Sequence, residues 1–225
     1  MRTLGGRLGS ARRLGTGEPF ITLSAALGAG RRGLVAWMGQ RVSEGDAGGP
    51  ATIQVAGAPA GEPFGPARIA ERVPVTGTGR YVKAPGVRAA IGADGGALLA
   101  WTGYAGERFV VRTAAVEGTA LGEPQIVSDP AQDTVLAALA TGPAGMAAVL
   151  GDQGIRGADP SGPIALVGAV RAAGGAAFGP LETVAPRPAA TDSAVAFAGG
   201  APVAVLADIG ARALVASARA PLALP

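Results

Sequence analysis

Residues 89–103, A-A-I-G-A-D-G-G-A-L-L-A-W-T-G, hold two short apolar runs hinged at Asp94-Gly95-Gly96, with Trp101 near the end. Asp-Gly between runs of strand length is a hairpin signal, because glycine supplies the backbone conformations that a tight reversal needs. The arrangement recurs with changed residues at 20–39, 134–151 and 193–207. All copies keep two apolar runs and a flexible hinge. One other copy keeps the tryptophan, as Trp37, and no other copy keeps Asp-Gly-Gly.

Each hairpin opens a longer unit. In the first, 20–28 and 33–39 are followed by A-T-I-Q-V-A-G at 51–57, the turn G-E-P-F-G-P at 61–66, and A-R-I-A-E-R-V-P-V at 67–75, where apolar residues alternate as on a half-exposed strand. The second unit predicts strands at 87–93, 97–103, 108–116 and 124–128, the last after L-G-E-P; the third predicts them near 134–140, 145–150, 164–171 and 181–185, with A-F-G-P at 177–180. The fourth has 193–198, 201–207 and 212–219, then A-P-L-A-L-P, with little or no outer strand.

Aligning the second strands places Trp37, Trp101, Val149 and Val205 at one position, spaced by 64, 48 and 56 residues. Four short strands repeated about every 50 residues predict propeller blades, since one small sheet cannot bury a core alone and blade-on-blade packing supplies it. These four residues are the predicted core, with the tryptophans filling space between blades. The expected architecture is all-β: a basic flexible arm at 1–19, then one propeller-like domain over 20–225, with blades at about 20–75, 87–128, 133–186 and 192–222. The last blade is incomplete, so the propeller is expected to be small or partial, with an edge open to association.

Composition agrees and excludes much else. The 38 Gly and 18 Pro in 225 residues, with 48% hydrophobic residues, reconcile as many short elements joined by turns. Arg2, Arg7, Arg12 and Arg13 give residues 1–17 a charge of +4, and the remainder is near neutral, so nothing in the body resembles a nucleic-acid groove. There is no Cys and no His. That removes disulfides, thiolate and imidazole metal sites, and every Ser-His or Cys-His catalytic arrangement. Residues 134–151 are uncharged and nearly long enough to span a bilayer, but Gly142-Pro143 at their centre reads as a hairpin. The Arg-bearing start followed by F-I-T-L-S-A-A-L-G-A-G imitates a signal peptide; the run lies far from the start and fits the repeat. Neither D-A-G-G-P at 46–50 nor G-A-D-G-G at 92–96 has alternating acidic ligands for calcium, and the glycines near 76–79 lack a phosphate-loop context. No cofactor or metal is expected.

The order in which a Gly hinge leads to L-V-A-W or L-L-A-W, then to V-V-R-T-A-A-V or V-G-A-V-R-A-A-G-G, then to F-G-P, resembles degenerate β-propeller repeats of secreted or envelope proteins in high-GC actinobacteria, themselves similar to sialidase-type propellers. The resemblance spans about 20–219 and implies an extracellular or envelope location. The sialidase Asp-box, Ser-x-Asp-x-Gly-x-Thr-Trp, is absent, and four blades are fewer than that family uses.

The remaining routes to catalysis are a carboxylate pair or a Tyr-Glu nucleophile with arginines. The candidate binding residues are Tyr81, Tyr104, Glu107 and Asp152; none stands at a spacing that defines a catalytic set. Asp94, Asp133, Asp152, Asp192 and Asp208 lie beside strand ends, where aspartate commonly bonds backbone N–H groups. Arg112, Arg171 and Arg219 recur late in the third strands and are expected on solvated or inter-blade faces. The expected function is a non-catalytic binding or scaffolding module recognising a protein or carbohydrate partner through loops 40–50, 76–86 and 151–163. The alternative is a divergent sialidase-type glycoside hydrolase.

Overall fold

The computed structural model describes residues 13–15, 20–40, 51–73, 86–154, 164–187, 193–208 and 213–218. Within them the chain forms sixteen strands: β1 (Phe20–Leu27), β2 (Gly33–Gln40), β3 (Ala51–Ala58), β4 (Arg68–Val73), β5 (Val87–Ile91), β6 (Ala97–Ala105), β7 (Arg108–Glu117), β8 (Ala120–Leu121), β9 (Gln125–Ile126), β10 (Thr134–Thr141), β11 (Ala147–Gln153), β12 (Ile164–Arg171), β13 (Glu182–Arg187), β14 (Ser193–Ala198), β15 (Ala201–Asp208) and β16 (Ala213–Ala218). They make four antiparallel meanders in chain order: β1-β2-β3-β4, β5-β6-β7 with β8 and β9 both on β7, β10-β11-β12-β13, and β14-β15-β16. This is the all-β, propeller-type architecture of about four blades, and the fourth sheet has three strands among the described residues.

Alanine-rich segments become strands here because Gly or Pro cuts nearly every run before a helix could nucleate, and because the pleat lets both faces pack. The three contacts between successive sheets hold three apolar cores. Between the first two lie Leu34, Ala36, Met38, Ile53 and Val55 against Leu99, Trp101, Ala114 and Val116. Between the second and third lie Ala100 and Val111 against Leu136, Val149 and Ala169. Between the third and fourth lie Ala138, Leu150 and Leu166 against Ala204 and Leu206. The inner strands meet in series, β1 on β5, β5 on β10 and β10 on β14. Hydroxyl groups stitch the same seams: Ser24 Oγ accepts the Ala89 N–H at 3.0 Å, and Thr102 Oγ1 accepts the buried Leu136 N–H at 3.0 Å, beside the bulge in β10.

Two sequence motifs acquire a physical role. The hinges Gly28–Arg32, Gly92–Gly96 and Gly142–Met146 close identically, the glycine N–H donating to the carbonyl four residues on at 2.8 to 2.9 Å. The glycine of F-G-P, L-G-E-P and F-G-P donates each time to the third strand, Gly65 to Gly57, Gly122 to Ala115 and Gly179 to Val170. That bond turns the chain back alongside the sheet to begin the outer strand.

Some expected elements shift. The outer strand of the second sheet, expected at 124–128, is split into β8 and β9 because Pro124 has no N–H to donate to the ladder. The second strand of the third sheet runs 147–153 rather than 145–150, since Pro143–Gly145 forms a 3-10 turn. Trp37, Trp101 and Val149 are buried. Val205 is half-buried and lies on the opposite face of β15 from Ala204 and Leu206, which meet the third sheet. The two-residue hairpin at Gly199-Gly200 is shorter than its counterparts, and a slip of one residue flips a strand's face.

Candidate functional site

The strands set which ends of the sheets can carry a site. At one end lie the short, bonded hinges at 28–32, 92–96, 142–146 and 199–200. At the other lie the ends of β2, β4, β11, β13 and β15. The Ala105–Arg108 hairpin and Asp133 belong to this second end.

Tyr104 and Glu107 share that hairpin. Tyr104 is half-buried near the end of β6, its ring tilted 48° against Phe109 with centroids 4.5 Å apart, and its carbonyl accepts Arg112 Nη2 at 2.9 Å. Glu107 is exposed at the tip, after Gly106, whose φ of +61° permits the two-residue turn. Asp152 is buried (4% exposed) on β11 and has an interaction partner; its register with Val135 and Leu166 puts it on the third sheet's face toward the fourth. The structure therefore brings Tyr104 and Glu107 together and leaves Asp152 a sheet away. Tyr81 lies outside the described residues, as do most of 40–50, 76–86 and 151–163.

Two charged clusters near this end were not evident in the sequence as clusters. Asp133, 7% exposed, accepts the Phe109 N–H at 2.9 Å and pairs with Arg108 Nη1 at 3.1 Å. Its own carbonyl accepts the Gly154 N–H. Glu71 reaches from β4 across the first seam, where Oε2 accepts the Trp101 indole N–H and sits 3.4 Å from Arg112 Nε. Gly103 makes room for it, since a Cβ there would fall within 3.0 Å of both side chains. Register could have signalled Arg112, which stands directly opposite Trp101. Nothing in the spacing signals Glu71, 30 residues from its partner tryptophan.

These arrangements are structural in chemistry. A catalytic carboxylate must be free to reach a substrate, whereas Asp133 and Glu71 already satisfy backbone, indole and guanidinium donors. On the described inner strands the one charged side chain is Arg88, half-buried, with Nη1 donating to the Val87 carbonyl at 3.0 Å. Among the described residues no group of three or more Asp or Glu could hold a metal ion, and no helix is long and apolar enough to cross a membrane.

No family model matches the chain, and no curated protein matches it. Solved structures do. Hadza microbial sialidase Hz136 is similar over 89% of this chain and 44% of its own, with 14% identity and a TM-score of 0.57. A GH43 endo-arabinanase from Bacillus licheniformis is similar over 88% of this chain and 73% of its own, with 11% identity and a TM-score of 0.45. Trypanosoma rangeli sialidase in complex with sialic acid follows, over 83% and 34%, with 10% identity and a TM-score of 0.44. The first likeness establishes a propeller fold of sialidase type, and the chain spans under half the length of that sialidase.

Proposed function

We propose that the chain is a non-catalytic binding or scaffolding propeller module that engages a glycan or protein partner at the end of the sheets that carries the Ala105–Arg108 hairpin. One observation carries this reading: the buried acids near that end, Asp133 and Asp152, are engaged in interactions, while Glu107 stands exposed at the tip of the Ala105–Arg108 hairpin, whose base is held by the Tyr104 ring packed on Phe109 and the first core. An exposed acid on a rigidly held hairpin suits hydrogen bonding to sugar hydroxyls and peptide N–H groups alike. The likeness to a microbial sialidase supports a carbohydrate as the first class to try.

The test is a glycan array together with a panel of fluorogenic glycosides. Saturable binding that Glu107→Lys weakens at least tenfold, without turnover, supports the reading. Hydrolysis of any glycoside, abolished by Glu107→Gln or Asp133→Asn in folded protein, establishes the divergent glycoside hydrolase in its place.

A further inference from the structure

Each of the first three sheets sets one apolar side chain, shortly after its third strand, on the face toward the preceding side. Phe64 stands six residues past the end of β3, Leu121 four past β7 and Phe178 seven past β12. Phe64 lies over Gly33 so closely that any Cβ there would collide with its ring, on the face of β2 opposite Leu34 and the first core. Leu121 packs into the core between the first and second sheets. Phe178 packs into the one between the second and third, with the Arg171 guanidinium 5.8 Å from its ring centroid. Each of the three directly precedes the glycine that turns the chain back, so the motif supplies a wedge as well as a turn.

The fourth sheet has no such wedge among the described residues, and the seam before it is incompletely filled where the wedge would stand. A groove of about 170 Å³ opens there, between Val195, Pro202 and Ala204 of the fourth sheet and Leu150, Gly168 and Val184 of the third. Pro202 shares strand parity with Ala204, which meets the third sheet, and it is the second residue of β15, as close to its hairpin as Gly33 under Phe64 is to its own. The position in the blade is therefore the same. β16 ends at Ala218, and an interval of four to seven residues leads from there to 222–225, in the closing A-P-L-A-L-P, which lies outside the described residues. Within 219–225 the large apolar side chains are Leu222 and Leu224. A dry apolar cavity of about 150 Å³ takes up benzene, so this groove has room for a leucine side chain, and a seam left open there would forfeit the contacts its walls could make.

We infer that the C-terminal segment folds back on the fourth sheet and seats Leu222 or Leu224 in this groove, giving the last sheet the wedge that its three predecessors have.

The test is a double-mutant cycle on the full chain, read by urea unfolding. Leu222→Ser/Leu224→Ser empties the groove and is expected to raise the unfolding equilibrium constant at least tenfold. Ala204→Leu fills the groove from its own wall. In the unmodified chain it displaces the wedge and is expected to destabilise; in the serine variant it takes the wedge's place and is expected to stabilise, so the two effects differ by at least fivefold. Ala148→Val, a smaller addition from the facing wall, repeats the cycle should Ala204→Leu not fold. A smaller coupling overturns the inference, because the leucines then pack elsewhere. An equal gain from Ala204→Leu in both backgrounds also overturns it, since the groove is then empty in the unmodified chain, and so does a serine variant as stable as the parent.

Discussion

Replacing Trp101 with phenylalanine isolates what the indole N–H contributes to the first seam. Trp101 is fully buried between the first two sheets, and its Nε1 donates to Glu71 Oε2, which also faces Arg112 Nε at 3.4 Å. Phenylalanine keeps most of the ring volume and removes the donor. Glu71 is then left, 18% exposed, with an arginine whose Nε makes no well-directed hydrogen bond. A hydrogen bond to a charged acceptor is worth about 1.5–3 kcal/mol. The lost ring volume adds roughly 1 kcal/mol more, well short of the about 3–5 kcal/mol for a full Trp→Ala truncation. For a chain of this size each kcal/mol moves Tm by about 2–4 °C, so Trp101→Phe is expected to lower it by on the order of 5–15 °C. The measurement is urea unfolding of Trp101→Phe, Glu71→Ala and the double variant. Coupling of about 1–2 kcal/mol is expected from a direct contact. Additivity within about 0.5 kcal/mol would refute the claim that Glu71 reaches across the seam to the indole.

Thr102→Val replaces an acceptor with a methyl of the same shape and strands the buried Leu136 N–H, so a loss of about 1–3 kcal/mol is expected, while Thr102→Ser recovers most of it; urea midpoints of the pair decide. Asp133→Ala removes the acceptor of the Phe109 N–H and is expected to cost about 2–3 kcal/mol. Arg108→Gln removes only a partner that is 39% exposed and is expected to cost less than about 1 kcal/mol, so equal losses in thermal melts would show that the ion pair, not the backbone bond, dominates.

The fold was legible because its cause is local and repeated. A hinge glycine followed by four or more apolar residues, then a third strand with a late arginine, then F-G-P, sets strand order without any long-range information, and the hydrogen bonds of Gly65, Gly122 and Gly179 explain why that last motif recurs. What could not be read is what depends on register. Val205 aligns with Trp101 by count, yet a shorter hairpin in the fourth sheet turns it to the other face. The same applies to the site. Tyr104 and Glu107 are neighbours in sequence and neighbours in space, whereas Asp152 was grouped with them only as a residue type, and strand parity carries it to a different seam. Glu71 was invisible because its partners, Trp101 and Arg112, lie in another sheet.

Those seams constrain where function can reside. The seam hydroxyls of Ser24 and Thr102 accept backbone N–H groups of the neighbouring sheet, and the acids Glu71 and Asp133 answer donors that burial would otherwise strand. Polar groups committed this way cannot be recruited to a substrate without releasing the bond that holds two sheets together. At the hinge end the same holds for the backbone, whose turns close by one repeated bond. The connections at the opposite end run from thirteen residues between β4 and β5 to two at Gly106-Glu107, and the hinge end has longer ones of its own, nine residues between β3 and β4 and ten between β12 and β13. Loops on a rigid scaffold are where recognition surfaces are built on repeat proteins, and the Tyr104–Glu107 hairpin, anchored through Phe109 and Arg112 to the second sheet, carries an exposed acid at its tip.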